Sequence, residues 1–201
     1  MNKIIVMALI ALVSTTAFAQ KKKKPVASKP ATTVVAKGVL AKVDNLVAEV
    51  KTGNFQLTIN ENGKAKDAII VKAVDAKFTP TNTKLTSFKA NGVSLYVLTW
   101  TEITVIKTDL KTENLTNVYS IVYEIPNKKQ VFSNTQTTNH IVEKVFLDKL
   151  KNASETQERI RREGFEFILN ADGTITQKNK TQENKWKYNP ATFEFVDAKK
   201  K

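Results

Sequence analysis

The chain has no cysteine and a single histidine among its 201 residues. Thiol nucleophiles, disulfide frameworks, cysteine-based zinc sites and multi-histidine metal centres are thereby excluded. Glycine (6) and proline (5) are scarce, so the composition is neither collagen-like nor broadly disordered, and no glycine-rich phosphate cradle is present. Long apolar runs are missing too. The longest, Ile4 to Val13, has ten residues, about half of the ~20 that a membrane-spanning helix needs. No serine lies in a Gly-x-Ser-x-Gly elbow.

What is present begins with an address. Lys3, the apolar run and Ala17-Phe18-Ala19 have the order of a secretory signal peptide, with cleavage expected between Ala19 and Gln20. With no cysteine after the run, a lipid anchor through that side chain is excluded, and export without disulfides suits a bacterial envelope. The expected compartment is periplasmic or extracellular, and no transmembrane segment is expected in the mature chain.

The formal charge of +13 invites a nucleic-acid reading until it is located. Six lysines and no acid fall between Gln20 and Lys37, and Lys199, Lys200 and Lys201 add three more at the other end. The stretch 38–198 holds 22 basic against 19 acidic residues. It is almost neutral and shows no basic stripe interleaved with aromatics, so no nucleic-acid partner is expected. Residues 20–37, with Pro25, Pro30 and no aromatic side chain, read as a disordered basic linker. Lys21, Lys22, Lys23, Lys24 and Lys29 are its candidate anion contacts, for lipid, lipopolysaccharide or acidic glycan.

The expected domains are a signal peptide (1–19), the basic linker (20–37), one β-rich domain (38–198) and a basic tail (199–201). The expected fold class is α+β: a mostly antiparallel β meander of about ten short strands with one or two helices, open to a curved sheet or half-barrel. Apolar residues from Val34 to Val50 recur near a period of 3.5 and predict a first helix. Ser154 with Gln157 as a capping box, Arg159, Arg161 and Arg162 near the far end, and Gly164 as terminator predict a second. Strand signals dominate elsewhere. Leu85–Ala90 and Val93–Lys107 flank Asn91-Gly92, the residues of a two-residue type I′ hairpin. The spans 117–125 and 130–147 extend the meander, Val93–Lys107 being its central strand. The terminal Phe165-x-Phe167-x-Leu169, Asp172-Gly173-Thr174 and Trp186-x-Tyr188 resemble the meanders of small lipocalin-like bacterial secreted domains, over some 30 residues. That resemblance carries over no ligand and no residue.

Candidate chemistry is thin. His140 and Glu143, three residues apart, could share a metal on a helix but would face opposite sides of a strand, and the further ligands that zinc requires are lacking. Asp172-Gly173 begins a calcium-loop pattern that Ile168 and Asn179 break. Glu102, Glu124, Glu143 and Glu166 lie on predicted strands, and two converging carboxylates suffice for glycoside hydrolysis. Tyr96, Trp100, Tyr119, Tyr123 and Phe132 are the rings that a small apolar-ligand cavity would use. The leading expectation is a non-enzymatic, exported envelope protein of a Gram-negative-type bacterium, without cofactor or metal, that binds another envelope component or an anionic surface. A carboxylate-dependent glycan hydrolase and a lipocalin-like carrier are the alternatives.

Overall fold

Thirteen strands joined by turns and short loops form the regular structure of residues 38–199, the part of the chain that the computed structural model describes. The expected signal peptide, the basic linker with Lys21, Lys22, Lys23, Lys24 and Lys29, and the last two residues lie outside the described residues. The strands are β1 (Val39–Val43), β2 (Leu46–Lys51), β3 (Asn54–Glu61), β4 (Lys64–Ala73), β5 (Thr81–Ala90), β6 (Val93–Lys107), β7 (Lys111–Glu124), β8 (Lys129–Phe146), β9 (Ser154–Gly164), β10 (Glu166–Leu169), β11 (Ile175–Lys178), β12 (Glu183–Asn189) and β13 (Glu194–Asp197). They pair antiparallel with their sequence neighbours in three sheets, ordered β1 to β4, β5 to β9 and β10 to β13.

The expected α+β class is therefore wrong: the fold is all-β, and there is no helix among the described residues. Of the expected helix over 34–50, residues 34–37 lie outside the described residues, and from 38 on the apparent helical period comes from two short strands around a turn. Asp44 takes a positive φ of 50° there, and Val43 pairs with Leu46. The valines of this stretch, β-branched and restricted at χ1, suit that outcome. At 154–164 the local helix signals lose to a long-range one: the outer edge of β8 offers backbone partners from Gln136 to Phe146, and β9 takes them all. Gly164 still adopts the expected left-handed conformation, with φ of +78°, but it ends a strand. A Cβ there would lie 2.2 Å from the Thr135 carbonyl oxygen, which excludes any larger residue without a backbone shift.

Other expectations hold. β6 has the anticipated limits, and Asn91-Gly92 (φ 48° and 81°) closes the β5–β6 hairpin with Ala90 opposite Val93. Residues 141–147 continue β8 as a strand up to Phe146.

The five-stranded sheet is the middle of three layers. Successive side chains of a strand point to opposite faces, and those of β6 separate accordingly. Leu98 and Trp100 join Leu46, Phe55 and Leu57 of the first sheet in one core. Leu95 and Val97 join Ile175, Tyr188 and Phe195 of the last sheet in the other. The hairpin tip also meets the last sheet: the Asn91 side-chain amide donates to the Tyr188 carbonyl, and a Cβ on Gly173 would lie 2.2 Å from the Lys89 carbonyl oxygen.

Candidate functional site

Neither outer sheet covers the whole of the middle one. Buried positions of β6 end at Thr101; Ile103 and Val105 are each 60% exposed, and every residue of β9 is exposed. Neither core includes a side chain from 102–107, 111–117 or 136–164. This half of the sheet, built from the ends of β6, β7 and β8 and all of β9, is a single-layer blade with solvent on both faces.

Cross-strand pairing holds the blade together. On one face Glu113, Ile141 and Arg159 stand in one row, with Lys111, Glu143 and Gln157 in the next. Arg159 pairs with Glu143 at 2.9 Å, Asn139 donates to Glu113 at 2.6 Å, and Lys111 pairs with Glu113. Among these chains Ile141 is only 1% exposed, although it belongs to neither core. Hydrogen bonds from Lys111 and Asn139, with the nearby Arg161 charge, hold the Glu113 carboxyl below its ordinary value. The opposite face carries Ile103 and Val105 of β6, Asn114 and Thr116 of β7, Thr138 and His140 of β8, and Ile160 and Arg162 of β9. Its charges stand toward the ends, with Lys107 on β6 and Glu158 and Arg162 on β9 flanking Ile160, which is 54% exposed.

At the foot of the blade a cleft of about 350 Å³ lies between the segment after β4 and the start of the uncovered part of β6. Lys72, Lys77, Phe78 and Glu102 line it. The Lys72 ammonium donates to both Glu102 carboxylate oxygens at 2.9 Å, and Trp100 Nε1–H donates to Oε1 at 2.9 Å. The same ammonium stands 5.4 Å from the Phe78 ring centroid and 5.8 Å from that of Tyr119. Trp100 stacks on Tyr119 at 4.8 Å and meets Phe55 edge-on at 5.1 Å. Lys72 thus ties the first sheet to the middle one across an aromatic rim, and Glu102 is used in that tie.

The four glutamates do not converge on one another. Glu102 serves Lys72; Glu124 is buried and accepts the Asn127 backbone N–H at 2.9 Å; Glu143 pairs with Arg159. Glu166 lines a separate cleft of about 490 Å³ with Arg162, Lys178 and Lys180. The five rings separate as well. Trp100, Tyr96, Tyr119 and Tyr123 belong to the first core, whereas Phe132 packs on Phe167, Trp186 and Phe195 in the second. A register shift between Val122 and Tyr123 leaves Val131 as an extra residue and moves Phe132 to the face opposite the other rings. Burial pushes the Tyr123 hydroxyl up to about 12, as expected of a core residue rather than a ligand contact.

His140 and Glu143 do point to opposite faces, and the His140 Nε2 contact is Glu158 Oε1 at 2.5 Å, an exposed cross-strand pair. Asp172 accepts the Thr174 backbone N–H and hydroxyl, which with Lys185 lower its carboxyl, as in a hairpin turn. Among the described residues no three or more His, Asp or Glu side chains gather as metal ligands, and no helix is long and apolar enough to cross a membrane.

Sequence reasoning missed Lys72, Arg159 and the blade itself. The available signal was the polar alternation through Thr135–His140 and Glu155–Glu163, strand-length segments with no apolar face to bury. No protein-family model, curated protein or solved structure matches the chain.

Proposed function

We propose that this is an exported, non-enzymatic envelope protein that binds another protein of the envelope through the blade. One observation carries the reading: half of a five-stranded sheet stands clear of both cores and presents Ile103, Val105 and Ile160 among Asn, Thr and Arg side chains. A flat surface of apolar residues within a polar surround has the composition of a protein interface rather than of a small-molecule site. A folded region that contributes little core burial suits a recognition surface more than a stabilising one. The signal-like N-terminus and cysteine-free composition support export to a bacterial envelope.

The test uses the exported protein and two variants, Ile160→Lys and Thr116→Arg, both on the face of the blade that carries Ile103 and Val105. Crosslinking in intact envelopes from a site beside Ile160 should capture one defined protein. Both variants should lose that product while keeping the melting temperature. Capture that is undiminished in both variants contradicts a role for this face.

The basic linker favours a second contact. Six lysines without acid within 20–37 attract anionic lipid or lipopolysaccharide, at about 1 kcal/mol per lysine near a charged surface. Deleting residues 20–37 should abolish most salt-sensitive cosedimentation with anionic vesicles. Equal binding by the truncated chain would place the anion contact in the folded domain.

A further inference from the structure

The uncovered end of β6 has a free backbone edge. Strand β5 reaches only Thr101 of β6, so from Glu102 to Lys107 the strand is paired on one side, with β7, among the described residues. The hairpin fixes which groups are free. Ala90 and Val93 flank a two-residue turn and form a hydrogen-bonded pair. In an antiparallel ladder such pairs alternate with non-bonded ones, so odd residues of β6 bond toward β5 and even residues toward β7. The Thr108 N–H donates to the Lys111 carbonyl at 2.8 Å, in agreement. Beyond Thr101 the N–H and C=O groups of Ile103, Val105 and Lys107 therefore point outward with no strand to receive them.

Three of the sheets' outer edges are blunted by charge. The β9 edge carries Glu155, Glu158, Arg159, Arg161, Arg162 and Glu163; the β4 edge has Lys64, Lys66, Asp67 and Lys72; β13 has Glu194 and Asp197. Charges of this kind are how natural sheets avoid pairing with another chain. Between Glu102 and Lys107 stand only Ile103, Thr104, Val105 and Ile106, all β-branched, and three of them large apolar residues at least half exposed.

We infer that this edge pairs with the same edge of a second copy of the chain, antiparallel about a two-fold axis through Val105. The length of the free edge selects the occupant and the register. The outward-pointing residues are centred on Val105, so a two-fold there sets Val105 against its own copy and Ile103 against Lys107 of the second copy. Every free backbone group of the three residues is then bonded, and the pairing stops where Thr81 occupies the edge at Thr101. Moving the axis one residue toward Thr104 sets Lys107 against the Thr101 already taken, and moving it toward Ile106 sets Ile103 against Asp109 of the turn. The Val105 register also carries the exposed Asp109–Leu110 turn of each copy toward the other's foot cleft, where Lys77 offers the opposite charge. Such an interface is isologous and closes at two subunits.

The absence of cysteine makes a direct test available. In the exported protein under mild oxidation, Val105→Cys should give a disulfide-linked dimer in high yield. Ile103→Cys alone should give little, and a mixture of Ile103→Cys with Lys107→Cys should give the mixed dimer. Sedimentation of the unmodified protein should show a monomer–dimer equilibrium that Val105→Lys weakens at least tenfold, with the melting temperature of dilute protein unchanged. A chain that stays monomeric up to millimolar concentration, a Val105→Lys variant that dimerises as well as wild type, or equal self-crosslinking at 103 and 105 would overturn the inference. A β-strand of some other protein on this edge would appear as wild-type monomer and contradict it as well.

Discussion

The two halves of the middle sheet share strands but not the source of their stability. Along β6, residues 93–101 send large side chains into two different cores, and Leu95 and Leu98 are wholly buried. A few residues on, Ile103 and Val105 of the same strand are mostly exposed. The covered half is stabilised by area removed from water, ~25 cal/mol per Å² of apolar surface. The blade has backbone ladders and side-chain pairs, each worth roughly 0.2–1 kcal/mol. A long strand thus need not be amphipathic throughout: β6 leaves the core and persists with β7 alone supplying its hydrogen bonds. The blade is consequently the half free to present both of its faces to a partner.

Truncation separates the halves most strongly. Phe55→Ala, in the core between the first and middle sheets, should cost about 3–5 kcal/mol, the usual range for an aromatic core residue. Val105→Ala should stay within about 0.5 kcal/mol in dilute protein, as at an ordinary surface site. Denaturant midpoints measure both, and comparable losses would mean that the blade is packed against something. Two glycines sharpen the contrast at the turns. Gly173→Ala places a Cβ 2.2 Å from the Lys89 carbonyl oxygen at a φ of +77°, which should cost about 2–4 kcal/mol from strain and overlap together. Gly63 has the same φ but nothing within 4 Å; its alanine variant should lose only the conformational share, about 1–2 kcal/mol.

Alkali should act on the covered half. Burial raises the Tyr123 hydroxyl from its ordinary 10.0 to about 12. A group whose folded value is raised contributes stability in full below its unfolded value and loses it as pH climbs toward the folded one. Between about pH 10 and 12, stability should therefore fall by roughly 2–3 kcal/mol, and Tyr123→Phe should remove that component in pH-dependent denaturation. Acid should act, weakly, on the blade. Glu113 is held below the ordinary carboxylate value by Lys111 and Asn139, so its contribution is present above the unfolded value and fades as pH falls through the folded one. A carboxyl chemical-shift titration should find Glu113 titrating below the ordinary glutamate value, and Asn139→Ala should bring it closer to that value.

Much of the covered half was legible because its cues are local. Asn91-Gly92 and the apolar alternation around it predict β5, β6 and their turn, and Asn62-Gly63 closes the β3–β4 hairpin with positive φ at both residues. The errors have identifiable physical sources. Two short strands around Asp44 reproduce a helical period because a tight turn returns the apolar face after about the same number of residues. At β9 the capping residues are real helix signals, but the deciding partner is the free edge of β8, distant in sequence and invisible to a local window. The five rings named for a ligand cavity divide between two cores, and the bulge at Val131 sets Phe132 on the face opposite Tyr123. The blade was hardest to foresee because it buries little, and burial is what writes periodicity into a sequence.

Amide hydrogen exchange along β6 in dilute protein tests the central claim, that one strand is covered along its first half and open-edged along its second. Leu95, Val97 and Thr99 pair with β5, whereas Ile103, Val105 and Lys107 have the same parity and lie beyond its end. The first three should exchange only through sub-global or global opening, and the last three near the rate of unprotected amides, orders of magnitude faster. Equal protection of the two sets would contradict it.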